Sequence, residues 1–119
     1  MRRHYRDNER DVRFEIVDGR LVRTVTLPDG RGYMHRCGRE AFEAVAHGVD
    51  ELGDQGVTLE PLAEALDLPN TQVNVALEFM KERGCLVTRG RRNYPSSDVL
   101  FEDAMTEFYA LADGAKEVE

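Results

Sequence analysis

Residues 57–95 read VTLEPLAEALDLPNTQVNVALEFMKERGCLVTRGRRNYP, and the punctuation of this stretch decides the fold. Thr58 is an N-cap residue before Leu59, Glu60 and Pro61, where acid and proline suit a first helical turn. Leu59, Leu62, Ala63 and Leu66 then recur at helical spacing, which predicts a short helix. Asp67-Leu68-Pro69 breaks it, and Asn70 is placed to cap a longer helix from Thr71 to about Arg83, closed by Gly84. A strand over Cys85–Thr88 follows, then the turn Arg89-Gly90-Arg91-Arg92, then a return through Asn93-Tyr94 stopped at Pro95.

Working outward, Phe42, Val45, Ala46, Val49 and Leu52 mark a preceding helix from Arg39, ended by Gly53. Upstream of it, Val12, Phe14 and Ile16 alternate with polar neighbours up to Asp18-Gly19, a strong hairpin signal. Leu21, Arg23 and Val25 alternate on the return, and Leu27-Pro28-Asp29-Gly30 turns the chain into a third short strand. Such a meander is marginal alone, so one face must lie on something apolar. Downstream, Ser96 or Ser97 caps a last helix through about Ala112. The expectation is one α+β domain over 12–112: a β-meander (12–36), a three-helix and hairpin unit (39–95) and a C-terminal helix (97–112). Residues 1–11 and 113–119 are expected as a flexible arm and tail.

The 119 residues, with 41% hydrophobic and 33% charged, suit a small soluble core. No stretch approaches the roughly 18 apolar residues of a membrane span, and the Arg-rich start lacks the apolar core of a signal peptide. An uncleaved soluble protein is the expectation. The net charge is −7, which disfavours indiscriminate nucleic-acid binding. It is unevenly spread. Residues 1–36 hold nine Arg against six acids, and residues 37–84 hold three bases against ten acids. Residues 85–94 carry Arg89, Arg91 and Arg92 with no acid, and residues 95–119 set Lys116 against seven acids. The basic segments are candidate contact surfaces, or simply neutralise the acidic faces across the fold.

Helix, short helix, tight turn, helix, hairpin is the order of a winged helix-turn-helix. Over residues 39–95 the chain resembles the winged-helix superfamily of bacterial transcription regulators. Leu62–Leu66 looks like the second helix, Leu68-Pro69-Asn70 like the turn, Thr71–Arg83 like the recognition helix and Cys85–Tyr94 like the wing. The resemblance implies sequence-specific binding of double-stranded DNA by a dimer, with the third helix in the major groove and the wing on the backbone or minor groove. Residues 12–36 and the last helix lie outside the match.

Val73, Ala76, Leu77 and Met80 form the buried stripe of the third helix. Away from it, Thr71, Gln72 and Asn74 are amides and hydroxyls suited to base edges. Arg89, Arg91 and Arg92 are suited to phosphates. Glu78 and Glu82 oppose such binding by turning carboxylates toward a polyanion. Val75 and Phe79 either meet a protein partner or lie under the meander or the last helix. In the arm, Arg2, Arg3 and Arg6 are diluted by Asp7, Glu9 and Asp11.

The expected function is therefore a cytoplasmic DNA-binding transcriptional regulator. The alternative is a winged-helix protein-interaction module that does not bind DNA. The last helix, with Leu100, Phe101, Ala104, Met105, Phe108, Tyr109, Leu111 and Ala112, either dimerises or fills the chain's own core. His35, Cys37, His47 and Cys85 lack paired-ligand spacing, so no metal is expected. Two cysteines are too few for a disulfide framework, which favours a reducing compartment. No nucleophile motif or phosphate loop is present, so neither catalysis nor a cofactor is expected.

Overall fold

The computed structural model describes residues 10–117. The chain runs β1 (Asp11–Val17), β2 (Arg20–Thr26), β3 (Gly32–Cys37), α1 (Arg39–Leu52), α2 (Leu59–Leu66), α3 (Asn70–Glu82), β4 (Leu86–Arg89), β5 (Arg92–Pro95) and α4 (Leu100–Glu117). β1, β2 and β3 form an antiparallel sheet in sequence order, and β4 and β5 form a separate hairpin. The fold is mixed α+β, as expected. The arm falls largely outside the described residues, with Arg2, Arg3 and Arg6 among those not described.

Local chemistry sets the turns. Asp18 and Gly19 both take positive φ, 53° and 78°, the geometry a two-residue hairpin loop demands and Asp-Gly tolerates. They fix the β1–β2 register with Val17 opposite Arg20. The second turn is closed by Asp29, whose carboxylate accepts from the Arg31 backbone N–H at 3.0 Å and from its Nε at 2.7 Å. At Gly32 any side chain would collide with the Val25 carbonyl across the ladder. In this register Val12, Phe14 and Ile16 share a face with Leu21, Arg23 and Val25 and with Tyr33, His35 and Cys37.

That face lies on α3, which packs against both β3 and β2. Phe14 meets Phe79 edge-on at 5.3 Å between centroids, and Phe79 meets Phe42 of α1 at 5.8 Å. Phe42 in turn touches Phe108 of α4 at 5.0 Å. A chain of four aromatic rings thus runs from the sheet through α3 and α1 to the last helix. Buried side chains from all these elements form one cluster.

Some details differ from expectation. Pro69, not Asn70, is the residue before α3, and no side chain caps that helix; the Pro69 carbonyl accepts from Val73 N–H at 3.2 Å. Thr58 stands at the N-cap of α2 in extended conformation without a side-chain bond. Ser97 does act as a local cap, accepting from Val99 N–H at 3.1 Å and donating to Asp103 at 2.6 Å. α4 then starts later than expected and continues past Gly114 to Glu117, so the expected tail is helical for several residues. A lone glycine costs a helix only about 1 kcal/mol, which neighbouring turns absorb.

Candidate nucleic-acid interface

The segment 39–95 places α1, α2 and α3 around one core and returns as a hairpin. Between α1 and α2, Val57 pairs with Asn93 of β5: each N–H donates to the other's carbonyl at 2.9 Å. This bridge ties the hairpin base to the start of α2 and went unnoticed in the sequence, because one paired residue has no periodicity. Asn93 is buried, and its side-chain Oδ1 accepts from the Thr88 hydroxyl at 2.7 Å. Gly56, at φ 75°, lets the Tyr94 ring approach to where a Cβ would stand.

The hairpin tip carries the basic residues. Gly90, at φ 62°, makes the turn, with Arg89 and Arg92 paired across it. Arg89, Arg91 and Arg92 are all exposed. Arg89 lies 5.5 Å from the Tyr94 ring centroid, a cation–π contact that holds its side chain over the hairpin. Arg92 donates at 3.4 Å to the Gln55 carbonyl and at 3.5 Å to that of Gly56, long bonds that lean it toward the segment before Val57. Arg91, at the apex, extends into solvent.

α3 is divided among three environments. Val73, Ala76, Leu77 and Met80 are buried on the helical side, as expected. Val75 and Phe79 are each 0% exposed, covered on the flank where the N-terminal sheet packs. They are therefore not a surface for a protein partner. The reason is tertiary: an apolar face without a helical neighbour was taken up by the meander, which itself needed an apolar support. Gln72 lies on the same flank, where its Oε1 accepts from the Gly38 N–H at 3.1 Å, at the start of α1. Its Oε1 is thereby engaged within the molecule, while the residue as a whole is half-buried. Thr71 is exposed and Asn74 half-buried. These two share the open strip with Glu78, Lys81 and Glu82, and Lys81 is already paired with Glu78 at 2.6 Å. Glu82 faces Arg83 at 3.6 Å, and Arg83 also reaches Glu107 of α4 at 3.5 Å.

Most of the apolar stripe of α4 is absorbed internally. Leu100, Ala104 and Phe108 are buried, and Phe101 stacks on His47 of α1 at 3.8 Å and 13° between planes. Tyr109 remains exposed. Cys37 and Cys85 are buried free thiols. Burial pushes Cys37 up to about 12, and burial with the nearby Glu107 and Asp103 carboxylates pushes Cys85 up to about 11. Both stay protonated near neutrality, unsuited to nucleophilic or metal-binding roles. Among the described residues no group of three or more His, Cys, Asp or Glu could hold a metal ion. No described helix is long and apolar enough to cross a membrane.

Arg23 is the residue that strand reasoning passed over. It is 5% exposed, on the sheet face turned to α3. An arginine alternating with Leu21 and Val25 was the signal available.

No known protein family, curated protein or solved structure matches this chain.

Proposed function

We propose that this chain is a winged-helix module that binds double-stranded DNA mainly through phosphates, with the β4–β5 hairpin as its wing, and serves as a cytoplasmic transcriptional regulator. The observation that carries the reading is the exposed hairpin tip with Arg89, Arg91 and Arg92 and no acid between residues 85 and 94. The order α1, a Val57 bridge, α2, α3, hairpin supports it. Base contacts fall first to Thr71 and Asn74, since the Gln72 Oε1 is held by the Gly38 N–H. A module so equipped holds the backbone firmly and reads few bases. A second copy meeting the open side of α4 at Tyr109 would present two wings to one duplex.

One observation favours a second reading, a winged-helix protein-interaction module that does not bind DNA. Glu78 and Glu82 occupy the strip of α3 that the sheet leaves open, beside a single Lys81 already paired. Such a strip suits a basic protein surface better than a polyanion.

A fluorescence titration against random-sequence duplex, between about 50 and 200 mM salt, separates the two. DNA binding through the wing requires affinity that falls steeply with salt. It also requires a slope shallower by about one for each arginine removed in Arg91→Ala and Arg92→Ala. No binding at the lowest salt overturns the DNA reading and leaves the second.

A further inference from the structure

We propose that the cleft between β1–β2 and the C-terminal half of α3 is a binding site for a small organic monoanion, a carboxylate carried on an apolar body. The inference does not depend on whether the wing binds DNA. The cleft measures about 330 Å³ and is lined from the sheet by Arg10, Val12, Phe14 and Arg23, and from α3 by Glu78, Lys81 and Glu82. That is the lower end of the size range of ligand pockets.

Arg23 is the centre of the inference. It stands between Phe14 and His35 in the sheet register, on the face that covers α3, and only 5% of it reaches solvent. Its Nε is buried with no hydrogen-bond partner, and among the described residues the guanidinium has no ion pair. An arginine cannot shed its proton to escape this position. A guanidinium this deep, with its Nε–H unsatisfied, lacks an acceptor that an incoming anion would bring. The carboxylates across the cleft do not supply the acceptor: Glu78 is held by Lys81 at 2.6 Å and Glu82 faces Arg83 at 3.6 Å.

Three features define the ligand. The planar fork of Arg23 matches a carboxylate through two parallel bonds. Val12 and Phe14 offer an apolar floor for the ligand's body. Glu78 and Glu82 line the same cleft, so a monoanion meets less repulsion there than a phosphate dianion does.

The test is a calorimetric and NMR titration of the full chain with benzoate, with benzyl alcohol and inorganic phosphate as comparisons. Benzoate is expected to saturate and to shift the Arg23 Nε–H resonance together with amides of β1, β2 and the second half of α3. Benzyl alcohol and phosphate are expected to bind at least about tenfold more weakly. Arg23→Met, which keeps the packing volume, should weaken benzoate about tenfold or more, and Glu82→Gln should strengthen it, while Arg91→Ala leaves it unchanged. Should Arg23→Met fail to fold by circular dichroism, Arg23→Lys keeps the charge without the fork and should still lose affinity. The proposal is overturned by absence of saturation, by benzoate binding that survives in a folded Arg23 variant, or by phosphate binding as tightly as benzoate.

Discussion

The molecule contains two antiparallel hairpins with opposite fates. β1–β2, extended by β3, spends one face on α3 and contributes Leu21, Val25 and Cys37, each 0% exposed, to the core. β4–β5 buries little beyond Leu86 and Asn93 and leaves Val87, Thr88 and its three arginines open. Each has a tight turn with glycine at positive φ. The contrast lies in what stands opposite: α3 offers the first hairpin Val75 and Phe79, whereas the second is tied down by one bridge to Val57 and by two long bonds from Arg92. Burial makes a hairpin structural, and an unshielded tip keeps its charges available to a partner.

If the sheet is core and the β4–β5 hairpin is not, Phe14→Ala should destabilise by about 3 kcal/mol or more, because it breaks the aromatic contact with Phe79. Urea unfolding measures it, and a loss under about 1 kcal/mol would mean the sheet is an appendage rather than part of the core.

The two cysteines sharpen the same contrast by pH, since Cys37 closes β3 and Cys85 precedes β4. Both thiols are raised in the folded state, to about 12 and about 11, so the folded chain keeps protons that the unfolded chain releases. Their contribution is therefore complete below the ordinary thiol pKa of about 8.5 and fades as pH climbs toward those raised values. Stability at pH about 10 should be lower than at pH 8 by about 2 kcal/mol for each thiol. Cys37→Ala should remove about half of that dependence; an unchanged slope would place the alkaline loss elsewhere.

Gln72→Ala removes the bond to Gly38 that pins α3 to the end of the sheet and should cost about 1 kcal/mol. Thr71→Ala, on the open strip, should cost almost nothing to stability. Equal effects of the two in thermal unfolding would contradict the division of α3 described above. Smallest of all, Arg91→Ala should leave unfolding within about 0.5 kcal/mol of wild type, and under the proposed function its consequence should appear only in the salt slope of the duplex titration.

Much of the fold was legible because its signals are local. Asp18-Gly19 and Gly90 dictated turns by φ, Gly53 and Gly84 ended helices, and Phe42, Val45, Ala46 and Val49 repeat at the spacing of α1. The candidate site was legible only in part. Three arginines around a glycine announce an exposed turn, and exposed they are. Thr71, Gln72 and Asn74 look alike in a helical projection, yet the Gln72 Oε1 is held by the N–H of Gly38, 34 positions earlier. Arg23 looked like any polar strand residue until the sheet was laid on α3.

Sequence alone determined the secondary elements, the turn chemistry and the basic hairpin tip, all consequences of residues within a few positions of one another. The tertiary structure alone decided which sides of α3 remain open. A helix with apolar residues on two flanks states that both will be covered but not by what, and here the second cover is a sheet from the far end of the chain. That same packing enclosed Arg23, because a strand that delivers Leu21 and Val25 to the core must carry the residue between them to the same side.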